Sequence, residues 1–133
     1  MTNVTKYDAT DTTVQVDSVY ITGLGENMVS GSKNEDLIST SVGAQGDVVK
    51  NIINDPIGEV TVTIQSTSPS KEHLMGLVKR VDNFPLWATN KTLGERMGGS
   101  QACLKSYPEI ERGKESEDLE FVFTVMDYTV EAI

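Results

Sequence analysis

The chain has 133 residues, with 20 acidic and 11 basic side chains, a net charge of −9, one Cys and one His. That length suits one domain with a self-sufficient core, while a single Cys excludes an intrachain disulfide and a single His excludes metal sites built on two imidazoles. An acid excess without any Lys/Arg cluster is a poor match to a surface that grips phosphates, and no apolar run nears membrane-span length. Residues 1–8 carry neither the basic region nor the apolar run of a signal peptide. The expectation is a soluble acidic domain covering 1–133, made inside the cell.

The first predicted element runs from Thr12 to Ile21, where Val14, Val16 and Tyr20 alternate with polar residues, as in a half-buried strand closed by Gly23-Leu24-Gly25. Residues 23–58 follow, rich in Gly, Ser, Asn and Asp and short of large side chains. They are expected to form a long loop or extended hairpin excursion, mobile in an isolated chain. Gly58–Thr67 is a second strand, with Val60, Val62 and Ile64 on one face and Thr61, Thr63 and Gln65 on the other.

Ser68-Pro69-Ser70-Lys71-Glu72 then supplies a hydroxyl cap, an early Pro and an early acid, all favourable at a helix start. Leu74, Leu77, Val78 and Val81 recur as one apolar stripe, predicting about three turns before Asp82-Asn83-Phe84-Pro85 ends the helix. Leu86–Thr89 and Gln101–Tyr107 read as strands joined by a turn region at Gly94, Gly98 and Gly99, with Trp87 in the core beside Phe84. Leu119–Val130 is a last long strand whose Leu119, Phe121, Phe123 and Val125 face inward. The expected fold is mainly β, a small barrel or sandwich with one packed α-helix. Strands this long on so short a chain leave edges that must be paired or covered.

No catalytic constellation emerges, and no metal or cofactor site is expected. Cys103 sits in a predicted strand as a small hydrophobe, and nothing in the sequence brings His73 to it. Glu109 and Glu111 lie in the mixed-charge run 108–115, which reads as a solvated loop rather than an acid/base pair. Gly23-Leu24-Gly25-Glu26 lacks the third glycine of a dinucleotide loop, and there is no Walker Gly-Lys-Ser/Thr. Glu35, Asp36, Asp47 and Asp55 match no EF-hand spacing. Without a leader, the sequons at Asn3 and Asn90 read as chance matches. A β-sandwich binding module for carbohydrate is an alternative, although aromatics for sugar stacking number only eight.

Several segments together carry a resemblance. Lys33-Asn34-Glu35-Asp36, then Val42-Gly43-Ala44-Gln45-Gly46-Asp47, Asn54-Asp55, the Gly58–Thr67 strand and Ser68-Pro69-Ser70 before the Leu74/Leu77 helix resemble the tail tube proteins of contractile-tailed bacteriophages. The stretch Pro108-Glu109 to Gly113-Lys114-Glu115 before a long final strand agrees in order. The resemblance implies a β-barrel with a flanking helix, shared with the type VI secretion tube protein, and no enzymatic activity. It implies six-membered rings closed by sheet continuation and stacked into a hollow tube inside a contractile sheath. Partners would be the sheath, baseplate and tail terminator proteins, with double-stranded DNA passing through an acidic lumen unbound. The chain would reside in the virion tail after synthesis in the host cytoplasm. Lys33, Asn34, Glu35, Asp36, Gln45, Asp47, Asn54 and Asp55 are the expected subunit or ring contacts. The inner tube of a bacterial contractile injection device fits the same residues.

Overall fold

The computed structural model describes residues 3–133; Met1 and Thr2, on which the reading of the N-terminus partly rests, lie outside them. The alternating segments form strands because every second side chain finds the same apolar interior. Strand β6 (Gly58–Ile64) pairs antiparallel with β9 (Leu119–Val125), setting Val60 opposite Phe123, Val62 opposite Phe121 and Ile64 opposite Leu119. All six side chains are fully or almost fully buried. Strand β7 (Phe84–Asn90) buries Phe84, Leu86, Ala88 and Asn90 in strict alternation. Phe84 meets Phe123 edge to face, with ring centroids 6.0 Å apart. Trp87 has the opposite parity and therefore leaves the core; it lies on the other face under the Arg96 guanidinium, 4.2 Å from its ring centroid.

The predicted 12–21 strand is two strands. β1 (Thr12–Val16) folds back on β2 (Val19–Tyr20) through Asp17 and Ser18, both left-handed at φ 52° and 65°. A two-residue turn preserves the alternation of apolar positions, which is why the break is silent in the sequence. Asp tolerates this backbone better than most residues. Its N–H donates to the Pro85 carbonyl at 2.8 Å, and its carboxylate pairs with Arg80. The fold-back turns Tyr20 outward, 64% exposed, while Val14 and Val16 stay buried.

The helix is shorter than its stripe suggests. α1 spans Lys71–Gly76 and tightens into a single 3₁₀ turn at Leu77–Lys79. Leu74 and Leu77 join the core, whereas Val81 is 94% exposed. Gly76 weakens the helix at its last position. Ser70 does not cap it with its side chain. Its hydroxyl accepts the Thr22 N–H at 2.9 Å, while Ser68 Oγ donates to the Thr22 carbonyl at 2.5 Å, so the two serines fasten the helix to the chain beyond β2.

Strand β8 (Glu95–Leu104) absorbs two glycines expected in a turn; of the three, only Gly94 lies in the turn before it. Gly98 has φ +134°, and a Cβ there would run into the Leu86 carbonyl. The final strand also divides, into β9 and β10 (Thr129–Ala132), which pairs with the first half of β8. Between them, the Asp127 carboxylate accepts the Ser100 N–H at 3.1 Å, the Ser100 hydroxyl at 2.6 Å and the Gln101 N–H at 3.0 Å. Those are the two residues of a bulge in β8, where its register against β7 slips.

Within 23–58, β3 (Leu24–Lys33) belongs to the main sheet and pairs with β6, with a bulge between Leu24 and Val29. Only β4 (Ile38–Val42) and β5 (Val48–Ile52) stand apart, as a two-stranded hairpin. The main sheet runs β2-β1-β7-β8-β9-β6-β3 with β10 beside β8. It does not close into a barrel: β2 and β3 end it without meeting, and α1 packs on its core face.

Candidate assembly surface

The hydrogen-bonding capacity of a sheet is spent inside it except at its ends. β3 pairs with β6, and among the described residues the other edge of this ten-residue strand carries no strand partner. β2, the other end strand, offers two residues. Beyond β3 projects the β4–β5 hairpin, an isolated pair of strands of a kind that is marginal in water without packing. All ten of its strand residues are exposed.

Ile38 pairs with Ile52, Thr40 with Lys50 and Val42 with Val48. Directly paired residues and those two apart share a face. One side of the arm therefore carries four aliphatic side chains with Lys50 between them. Val42 is 69% exposed and Ile52 71%. An apolar face kept in water by a monomer is the signature of an interaction surface.

The eight residues expected to make contacts fall in two places. Lys33 ends β3, and Asn34, Glu35 and Asp36 lead into the arm, with the Asn34 N–H donating to the Ile57 carbonyl at 3.0 Å. Asn54 and Asp55 return from it, and the Asp55 carboxylate accepts the Ile57 N–H at 3.0 Å. These six surround the base of the arm. Gln45 and Asp47 stand at its tip, in a turn closed by the Gly43 N–H on the Asp47 carbonyl and by Gly46 at φ +90°. Sequence reasoning named this polar base and tip and missed the aliphatic face between them. Its signal was present in the alternation of Ile38, Thr40 and Val42 and again of Val48, Lys50 and Ile52, flanking a Gly-rich turn.

The groups weighed for chemistry remain apart. His73 Nε2 lies 3.1 Å from the Val16 carbonyl oxygen, half-buried on α1. Cys103 is half-buried on β8 opposite Thr124. Glu109 and Glu111 are exposed in the loop after β8. Among the described residues, no cluster of His, Cys, Asp and Glu has the geometry to hold a metal ion. Among the same residues, no helix is long and apolar enough to cross a membrane.

This fold is similar to that of chains in solved contractile assemblies. A chain of the cryo-EM structure of the anti-feeding prophage tube terminating cap superposes with a TM-score of 0.69 at 11% identity, covering 100% of this chain and 95% of that one. A chain of the extended sheath-tube complex of the PVC extracellular contractile injection system gives 0.66 at 17% identity, covering 92% and 88%. One from the extended PVC sheath/tube terminator gives 0.65 at 14%, covering 96% and 97%. These likenesses establish the fold. No curated protein matches by sequence. The chain belongs to the bacteriophage PhiTE tail tube protein family, whose model matches residues 4–130.

Proposed function

We propose that the protein is the repeating subunit of a contractile phage tail tube, six copies closing each ring and the rings stacking around a channel for double-stranded DNA. The family match over nearly the whole chain carries this reading. The open edge of β3 and the exposed arm give it a physical basis, since both are costly in a monomer and useful in a polymer. The surrounding sheath, the baseplate below and a terminator above are its partners; two of the similar structures are a sheath-tube complex and a sheath/tube terminator. Lys33, Asn34, Glu35, Asp36, Asn54 and Asp55 at the base of the arm, with Gln45 and Asp47 at its tip, make contacts between subunits or rings. Six chains of charge −9 would repel DNA from any part of the wall their acids line, so the genome slides rather than sticks. A passive conduit of this kind needs no catalytic groups.

The inner tube of an extracellular injection device is the second reading, favoured by the fact that two of the similar solved structures come from an extracellular contractile injection system. Size-exclusion chromatography with light scattering tests the shared core of both. The expected species have six times the 14.5 kDa of the chain, or far more. A monomer that persists at high concentration would overturn the proposal.

A further inference from the structure

The main sheet leaves an open cleft of about 840 Å³ between β3 and the strands β7, β8 and β10. Its apolar lining includes Met28 and Met97, which are half-buried, and Leu93 and Val130, which are exposed. Glu26, Glu95 and Glu120 also line it. The lining holds one cation, Arg96, and that guanidinium is already paired with Glu131 and stacked on Trp87. A cleft that is partly apolar and carries three carboxylates suits an occupant with aliphatic side chains around a single ammonium group.

The β4–β5 arm has that composition on one face. Ile38, Ile52, Val42 and Val48 surround Lys50, which has no ion-pair partner among the described residues. No arm residue lines the cleft of its own chain. We propose that the apolar face of each arm docks into this cleft on a neighbouring copy, with the Lys50 ammonium directed at Glu26, Glu95 or Glu120. This rests on the tube reading and adds to it the receptor site for the arm and the charge that fixes its register. Burial of the aliphatic residues supplies attraction, and the Lys50 contact discriminates against slipped positions. β3 lines one wall with residues 26–31, so its unpaired edge lies beside the docked hairpin, available for main-chain hydrogen bonds.

A zero-length carbodiimide joins an amine to a carboxylate only when the two are in contact. Assembled protein, mixed from isotopically light and heavy chains, is cross-linked this way and its peptides are read by mass spectrometry. The expected product is an interchain link from Lys50 to Glu26, Glu95 or Glu120. Lys50→Glu is expected to lower the assembled fraction at least tenfold, and the Glu→Lys change at the linked position to restore it. Circular dichroism confirms that each variant is folded. Rings or tubes whose Lys50 links map only to other acids, or a Lys50→Glu chain that assembles like the parent, would overturn the docking and leave the tube reading standing. A parent chain that stays monomeric would overturn both.

Discussion

At the level of single residues, the most consequential polar contact is the Asp127 carboxylate on the β8 bulge. Burial pushes this carboxyl upward, but hydrogen bonds from the Ser100 hydroxyl and from the Gln101 and Ser100 N–H groups outweigh it and hold the group below the usual carboxylate value. A carboxyl depressed in the folded state contributes stability that is complete above its unfolded value, near pH 4. That stability is lost as pH falls through the lower folded value. Asp127→Ala is therefore expected to cost about 1–3 kcal/mol at pH 7, with the deficit shrinking below pH 4. Denaturant melts at pH 7 and pH 3 check this; a deficit independent of pH would mean that the charge is not what the bulge uses. Cys103 is the opposite case. It is half-buried on β8 with Thr124 as its cross-strand neighbour, so Cys103→Ser is expected to change stability by less than about 1 kcal/mol and to leave assembly intact. Loss of assembly in a folded variant would give the thiol a role. Trp87 shows what was readable at this scale: its parity relative to Phe84 already placed it on the other face, and nearness in sequence was the wrong guide.

Among the elements, the long strands were legible because alternation of β-branched and aromatic residues records which face meets the core. Val60, Val62 and Ile64 against Phe123, Phe121 and Leu119 is that record. The interruptions were not legible. Asp17-Ser18 turns the chain without disturbing the period. The 126–128 break depends on a carboxylate reaching a strand more than twenty residues away. The order in which strands pair, with β7 between β1 and β8, is set by long-range packing that no local pattern encodes. In the arm the physics is local again, and its consequence is dynamic. A hairpin with all its strand side chains exposed has little to hold it closed. Amide hydrogens of residues 38–52 are therefore expected to exchange within seconds to minutes in dissociated chains, and at least a hundredfold more slowly after assembly. Hydrogen-exchange mass spectrometry on both states checks this. Equal rates would remove the arm from the interface.

For the whole molecule, the resemblance carried by residues 33–82 pointed to the tail tube proteins, and the family model matching residues 4–130 shows that membership. The expected mainly β fold with one packed helix is the fold observed, and of the two forms expected, barrel or sandwich, the closed barrel is the one not formed, because the main sheet ends in two strands that do not meet. That opening is the physical link between fold and role: a sheet that cannot close on itself, beside a cleft and an arm that do not fill each other, is suited to completion by other copies of the chain. Cryo-electron microscopy of the assembled protein tests this most directly. Stacked rings of six around an open bore are expected, with the β3 edge and the β4–β5 arm of each chain buried against a neighbour. A solid or irregular aggregate, or rings in which both the edge and the arm remain in solvent, would contradict it.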